Sequence, residues 1–302
     1  MGLKDIKLWE KNLPDAARAC AGDLVSSLVD LNNEGLPTLT PYLLNEKKLH
    51  PVIIVCPGGE FQYRASHEGE PIAKWLNQMG INTFVLNYRV APYTPFTSTK
   101  DAVRAVRYIR YHALELNIDP ERIGMIGFSA GGYLTAFMGT HFDNGIIEPE
   151  SRNAQIMAML FGEPDCNDPI DQTSSKLNAL ILCYAETSPF SKEKLPPGSL
   201  LPKDITIDEF IDFTSTHKHV TAITPPTFLW VTATDDFNFQ SQNLLFAQAL
   251  NEQNLSFELH IFSKGHHGLG LGKDEPAVAI WPKLCENWLQ GLWSNEGGVK
   301  NE

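Results

Sequence analysis

Basic residues are scarce in this chain, long apolar runs are missing and cysteine is rare. Lys and Arg number 24 against 36 Asp and Glu, giving a formal net charge of −12 over 302 residues. A surface of that sign lacks the basic footprint that nucleic acid requires, and it is repelled by anionic lipid. No apolar stretch approaches the roughly 20 residues needed to cross a bilayer, so no membrane partner is expected. The opening residues, Met1 to Asn12, mix Lys, Asp, Glu and Trp with no apolar segment, so a secretory leader is not expected. The five cysteines (Cys20, Cys56, Cys166, Cys183, Cys285) are odd in number and contain no Cys-x-x-Cys. That sets aside a disulfide framework and a zinc ribbon, and the expected setting is the cytoplasm. Cys56 and Cys183 fall inside apolar runs and read as small core residues. The patterns G-x-x-x-x-G-K-[ST], G-x-G-x-x-G and H-E-x-x-H are absent too, so no cofactor and no metal is expected.

What remains is ordinary globular material, 43% hydrophobic and 20% charged, enough to bury a large core. There is no internal repeat and no Pro-, Gly- or Ser-rich linker, so residues 1–302 are expected to form one domain. From residue 51 onward, short β-branched runs alternate with longer helical ones, the signature of βαβ units and a mostly parallel sheet. Strands are expected at 51–56, 82–89, 122–128, 177–184, 227–231 and 257–262. Helices are expected at 69–80, 98–116, 131–140, 240–251 and 276–292. Residues 1–50 are less regular and would add antiparallel strands at one edge. Two stretches, 141–176 and 187–222, carry several Pro, Asp and Ser and do not fit the alternation. Excursions of that length serve as lids or binding loops, or else decorate the surface.

Gly127-Phe128-Ser129-Ala130-Gly131 lies between a strand and a helix. In that setting G-x-S-x-G forms a sharp turn that lifts a serine hydroxyl above the sheet edge. The pattern is common on its own, and its company gives it weight. A serine needs a base, and nine histidines compete for that role. His267, in Lys264-Gly265-His266-His267-Gly268, follows the strand 257–262 and precedes the last helix, with His266 as its neighbouring rival. The base in turn needs a carboxylate to fix its tautomer, and Asp235 or Asp236, after the strand 227–231, can supply it. The order Ser, Asp, His is that of a hydrolase. The developing oxyanion requires prealigned N–H donors. Ala130, just after the serine, is one candidate, and Gly59 and Glu60 of Pro57-Gly58-Gly59-Glu60, after the strand 51–56, are the others.

Five blocks in order resemble one family: Cys56-Pro57-Gly58-Gly59, Asn87-Tyr88-Arg89-Val90-Ala91-Pro92, Gly127 to Gly132, Thr234-Asp235-Asp236 and Gly265-His266-His267-Gly268. They are similar to the acetyl-esterase and carbohydrate-esterase (xylan, feruloyl) branch of α/β hydrolases, related to hormone-sensitive-lipase-like esterases. The resemblance covers residues 50 to 290 and implies the α/β-hydrolase fold, a mostly parallel sheet flanked by helices on both faces. It implies a triad of Ser129, Asp236 and His267, the acid being the second Asp of the pair, and a structural pairing of Arg89 with Asp101. The chain departs from the family at Glu60, where relatives carry Gly, and at Phe237-Asn238-Phe239-Gln240, where relatives carry an aliphatic pair and a proline. Glu60 with the substrate-side residue Phe61 would restrict the acyl group to short chains. The expected function is a serine carboxylesterase acting on acetyl esters such as O-acetylated sugars. Its partner is a small-molecule ester, and homo-oligomerisation stays open. An amidase or formamidase on the same scaffold, and a non-catalytic binding protein of this fold, are the alternatives.

Overall fold

Eight strands form a single sheet in the order β1-β2-β4-β3-β5-β6-β7-β8 in the computed structural model, which describes residues 4–9, 36–142, 150–162, 164–192, 201 and 204–294. The strands are β1 (Ile6–Lys7), β2 (Thr38–Tyr42), β3 (His50–Cys56), β4 (Asn82–Asn87), β5 (Ile118–Phe128), β6 (Ala179–Cys183), β7 (Thr227–Thr232) and β8 (Phe257–Phe262). The pairs from β4 and β3 through to β8 are all parallel, whereas β2 pairs antiparallel with both β1 and β4. The antiparallel edge expected of residues 1–50 is therefore present as β1 and β2, and residues 10–35 lie outside the described part.

The strand sequences show why the sheet is covered on both faces. In β3 the side chains of Val52, Ile54 and Cys56 enter one core, and those of Ile53 and Val55 enter the other. This is the period-two alternation of a pleated strand, with apolar residues on both sides because both sides are buried. Each such Val or Ile contributes about 1.5–3 kcal/mol of burial. The first face is covered by α2 (Pro95–Tyr111) and α3 (Ala130–His141), the second by α1 (Glu70–Gln78) and α7 (Trp281–Ser294). The helix α6 (Gln240–Glu252) packs Phe246 and Leu250 beside Leu182 and Leu229 on the α3 side. Helix α2 begins at Pro95, three residues before the expected start, because proline is accommodated in the first helical turn.

The two irregular stretches contain helices that the alternation did not show. Within 141–176 lies α4 (Arg152–Phe161), capped by the Ser151 hydroxyl, which accepts from Ala154 N–H. Within 187–222 lies α5 (Ile207–Thr214), opened by a capping box between Thr206 and Glu209. Arg152 Nε reaches Glu209 Oε1 at 2.8 Å and ties the two helices together. Phe190, from the second stretch, meets Tyr133 of α3 edge-on at 6.5 Å. Residues 143–149, 163, 193–200 and 202–203 of these stretches lie outside the described part.

Arg89 and Asp101 form a fully buried pair, with Arg89 Nη2 2.6 Å from Asp101 Oδ1 and Nε 2.9 Å from Oδ2. The pair fixes the end of β4 to α2. Cys56, Cys183 and Cys285 are buried free thiols, and Cys166 is exposed. Among the described residues, no helix is long and apolar enough to cross a membrane.

Candidate active site

The strand order reverses direction at β3, since β4 lies on one side of it and β5, β6, β7 and β8 on the other. A crevice opens outside the carboxyl ends of the strands at such a switch point. Two loops meet there: the Pro57-Gly58-Gly59 turn after β3, and the turn at Ser129 between β5 and α3.

Ser129 has φ 51 and ψ −117, a left-handed backbone that an L-residue adopts only when its surroundings impose it. The Ser129 N–H donates to the Cys183 carbonyl at 3.1 Å, and its carbonyl accepts from Tyr133 and Glu186. Close packing requires glycine beside it. A Cβ on Gly131 would stand 2.1 Å from the Cys56 carbonyl oxygen, so only glycine lets α3 start against the end of β3.

His267 Nε2 lies 2.8 Å from Ser129 Oγ, and His267 Nδ1 lies 2.8 Å from Asp235 Oδ2. A carboxylate only accepts, so Nδ1 carries the proton and Nε2 is left to take one from the serine. The carboxylate on the ring is therefore that of Asp235 and not that of Asp236, contrary to the expectation from the family motif. The local turn explains the difference. Residues 235–238 form a tight turn in which Asn238 N–H donates to the Asp235 carbonyl at 3.0 Å and Asn238 takes φ 57. Asp235 Oδ1 accepts from Phe237 N–H at 3.0 Å, an Asx turn that aims the side chain inward and buries it. Asp236, one place on, is exposed, and its Oδ2 accepts the backbone N–H of His267 at 3.1 Å. The two carboxylates thus hold the same histidine, one by its ring and one by its main chain. His266 turns away, with its Nδ1 at the His267 carbonyl.

Three aromatic rings meet the His267 ring edge to face, namely Tyr184 at 4.9 Å, Phe237 at 4.7 Å and Phe239 at 5.3 Å. They restrict its rotation and shield its contact with Asp235 from water. The hydroxyls of Thr232 and Thr234 both donate to the Gly265 carbonyl, at 2.7 and 3.0 Å, and Gly265 N–H returns a bond to Thr234 Oγ1. The acid-bearing and histidine-bearing loops are stitched together by these bonds.

The candidate oxyanion donors are oriented through their own peptide units. The Gly58 carbonyl accepts from Ala65 N–H, and the Gly59 carbonyl accepts from Gln62 and Tyr63. In a trans peptide the N–H points opposite the carbonyl, so these bonds aim the N–H groups of Gly59 and Glu60 away from the turn. The Ser129 carbonyl is likewise engaged, which aims the Ala130 N–H outward from α3. Among the described residues, none of these three N–H groups has an acceptor. Gly59 takes φ 125, where a Cβ would stand 2.3 Å from the Tyr63 carbonyl oxygen, so glycine is required there. The Glu60 side chain faces solvent, whereas Phe61 is buried with its ring edge-on to Tyr88 and Tyr133, both at 6.2 Å. Glu60 is thus on the surface, and Phe61 is packed into the core beneath the turn.

Sequence reasoning passed over Tyr184 and Glu68, and it left the acid open between Asp235 and Asp236, with the resemblance favouring Asp236. Tyr184 ends an expected strand, and nothing in its spacing signals a catalytic neighbour. Glu68 is 2% exposed, and an acidic residue beside His67 reads as surface until its burial is seen. Among the described residues, no group of three or more His, Cys, Asp or Glu side chains is gathered as a metal ligand set.

The BD-FAE family model matches residues 42–250 of this chain. Endo-1,4-beta-xylanase B of Butyrivibrio fibrisolvens is 31% identical over 265 residues, which cover 86% of this chain and 38% of that protein. Acetylxylan esterase of Xylanibacter ruminicola is 24% identical over 266 residues, covering 87% of this chain and 48% of that protein. The chain thus spans less than half the length of these two relatives. The structure of an acetyl ester-xyloside bifunctional hydrolase from Caldicellulosiruptor lactoaceticus superposes with a TM-score of 0.76 at 40% identity, covering 96% of both chains.

Proposed function

Because this chain belongs to the BD-FAE family and has the α/β-hydrolase fold, we propose that it is a serine esterase that removes short acyl groups, acetyl foremost, from small esters such as O-acetylated sugars. The observation that carries this reading is the unbroken chain from Ser129 Oγ through His267 to Asp235, 2.8 Å at each link.

In this reading Ser129 Oγ attacks the ester carbonyl while His267 Nε2 takes its proton, and Asp235 stabilises the imidazolium that forms. The tetrahedral oxyanion is met by the N–H groups of Gly59, Glu60 and Ala130, which carry no competing bond among the described residues. Such preorganised donors act most strongly where charge develops. The imidazolium then protonates the leaving alkoxide, and the alcohol departs. Water attacks the acyl-enzyme with His267 again as base, and the acid product and free Ser129 result. Cleavage of glycosidic bonds would call instead on a pair of carboxylates flanking the scissile oxygen, so the reading does not extend to the xylan backbone.

The short-acyl preference is supported by Phe61, whose ring is fixed between two tyrosines. Each methylene accepted by an open apolar pocket is worth about 0.8 kcal/mol, so an open pocket would favour longer esters, and a filled one reverses that trend. Acetyl and propionyl esters of one chromogenic alcohol should have the highest kcat/KM. Ser129→Ala should lower turnover by about three or more orders of magnitude while leaving a folded protein. A preference for octanoyl esters, or an active Ser129→Ala, would overturn the reading. A reducing compartment such as the cytoplasm agrees with the free surface thiol of Cys166, and cell fractionation would test it.

A further inference from the structure

The proposed chemistry leaves one buried carboxylate without a role. Glu68 closes the short 3-10 turn Ser66–Glu68, and its two oxygens reach toward two different loops. Oε2 accepts the Gly58 N–H at 2.7 Å, and Oε1 accepts the Tyr184 hydroxyl at 2.5 Å. That hydroxyl in turn accepts the Gly270 N–H at 2.9 Å. Gly58 immediately precedes the candidate oxyanion donor Gly59, and Gly270 lies in the loop that carries His267. At the rim, His67 Nε2 stands 2.9 Å from the Gly268 carbonyl and 3.6 Å from Glu68 Oε1, so the same turn also touches the histidine loop directly.

Burying a carboxylate is costly, and apolar filling would serve packing better. Its geometry offers what apolar filling cannot. The peptide unit between Pro57 and Gly58 is held from both ends: its carbonyl accepts the Tyr88 hydroxyl at 2.5 Å, and its N–H is taken by Glu68. Gly58 has no Cβ to resist rotation, so these bonds steady the unit preceding the Gly58–Gly59 peptide, whose carbonyl is held by Ala65 N–H and whose N–H is the Gly59 donor. On the other side, Tyr184 is both the hydroxyl between Glu68 and Gly270 and one of the rings against His267. Burial, together with the Glu68 charge, pushes its phenol well above the ordinary value, so its proton remains available to the carboxylate.

We propose that Glu68 is a positioning residue that joins the oxyanion loop to the histidine loop through Tyr184, holding the Gly59 N–H and the His267 ring in mutual register. The proposal rests on the esterase reading above. An oxyanion donor contributes only when charge appears on the substrate oxygen, so misplacing it weakens the transition state and spares ground-state binding.

The test uses the full chain with Glu68→Gln, Tyr184→Phe and the double variant, assayed on an acetyl ester after titration of competent Ser129 with a fluorophosphonate. Glu68→Gln should lower kcat per titrated site by about 30-fold or more, with KM changed by less than about threefold. Because both residues act through one chain of bonds, the double variant should fall within about threefold of Glu68→Gln alone. A kcat per site within about threefold of the parent, a loss confined to KM, or multiplicative effects in the double variant would overturn the proposal. If Glu68→Gln does not fold, Tyr184→Phe decides: a fall in kcat of about fivefold or more at constant KM supports the link, and a smaller one overturns it. An unmodified protein inert toward every ester would instead refute the esterase reading. The fluorophosphonate rate at Ser129 then serves as the readout, and an unchanged rate in Glu68→Gln overturns the link.

Discussion

Asp235 and Asp236 are chemically identical neighbours, yet one is buried on the His267 ring and the other is exposed beneath its main chain. The distinction carries a prediction. Asp235→Asn should lower kcat/KM by about four orders of magnitude, because the amide favours the wrong imidazole tautomer. Asp236→Asn keeps an oxygen for the His267 N–H and should cost about tenfold or less. A reversed ranking in the two purified variants would contradict the geometry. Residue types and their order along the chain were legible in the sequence, because Ser, Asp and His chemistry depends on what the side chains are. The choice within Asp235-Asp236 was not. It is made by the Phe237 N–H and by the left-handed Asn238, a turn geometry that no pattern of side-chain types displays. The same limit hid Glu68, whose burial depends on contacts 116 residues away at Tyr184.

At the scale of elements, the parallel strands were legible because their apolar runs are continuous, and a continuous run bounded by turns marks a strand buried on both faces. The helices α4 and α5 were not, although the Thr206 and Glu209 capping box was available as a signal. They are short, and α4 buries only Ile156 and Leu160, so their apolar faces were lost among the polar residues around them. Helix α3 ends on His141, which is buried, stacked on Phe137 at 3.8 Å and hydrogen-bonded to the Phe213 carbonyl at 2.8 Å. Burial, and then the nearby His219, hold its pKa well below the ordinary 6.5. The sign follows directly. Below pH 6.5 the unfolded chain takes up a proton that the folded chain refuses, so stability present at higher pH is lost as pH falls through that value. The slope due to His141 approaches about 1.4 kcal/mol per pH unit, and His141→Gln should flatten it in urea unfolding compared at about pH 7.5 and 5.5. An unchanged slope would mean that other groups, His219 among them, set the acid limit.

For the whole molecule, the reversal of strand order at β3 sets the Pro57-Gly58-Gly59 turn beside the Ser129 turn after β5, and the loops after β7 and β8 bring Asp235 and His267 to the same cleft. The molecule around that cleft carries a net charge of −12, and Glu60 and Asp236 are exposed beside it. A neutral acetyl ester should therefore react at nearly the same kcat/KM at about 10 and 200 mM salt, whereas a hemisuccinate ester should improve as salt screens the repulsion. Equal salt responses for the two esters would show that the net charge is not felt at the cleft. The bonds from Thr232 and Thr234 to Gly265 have a different kind of consequence. They make the histidine and its aspartate part of one cooperative patch, distinct from the buried turn that presents Ser129. Local opening releases such patches as units and at different free energies. A molecule that begins to come apart would then release His267 and Asp235 in a single event, leaving Ser129 correctly presented but alone within an otherwise folded sheet.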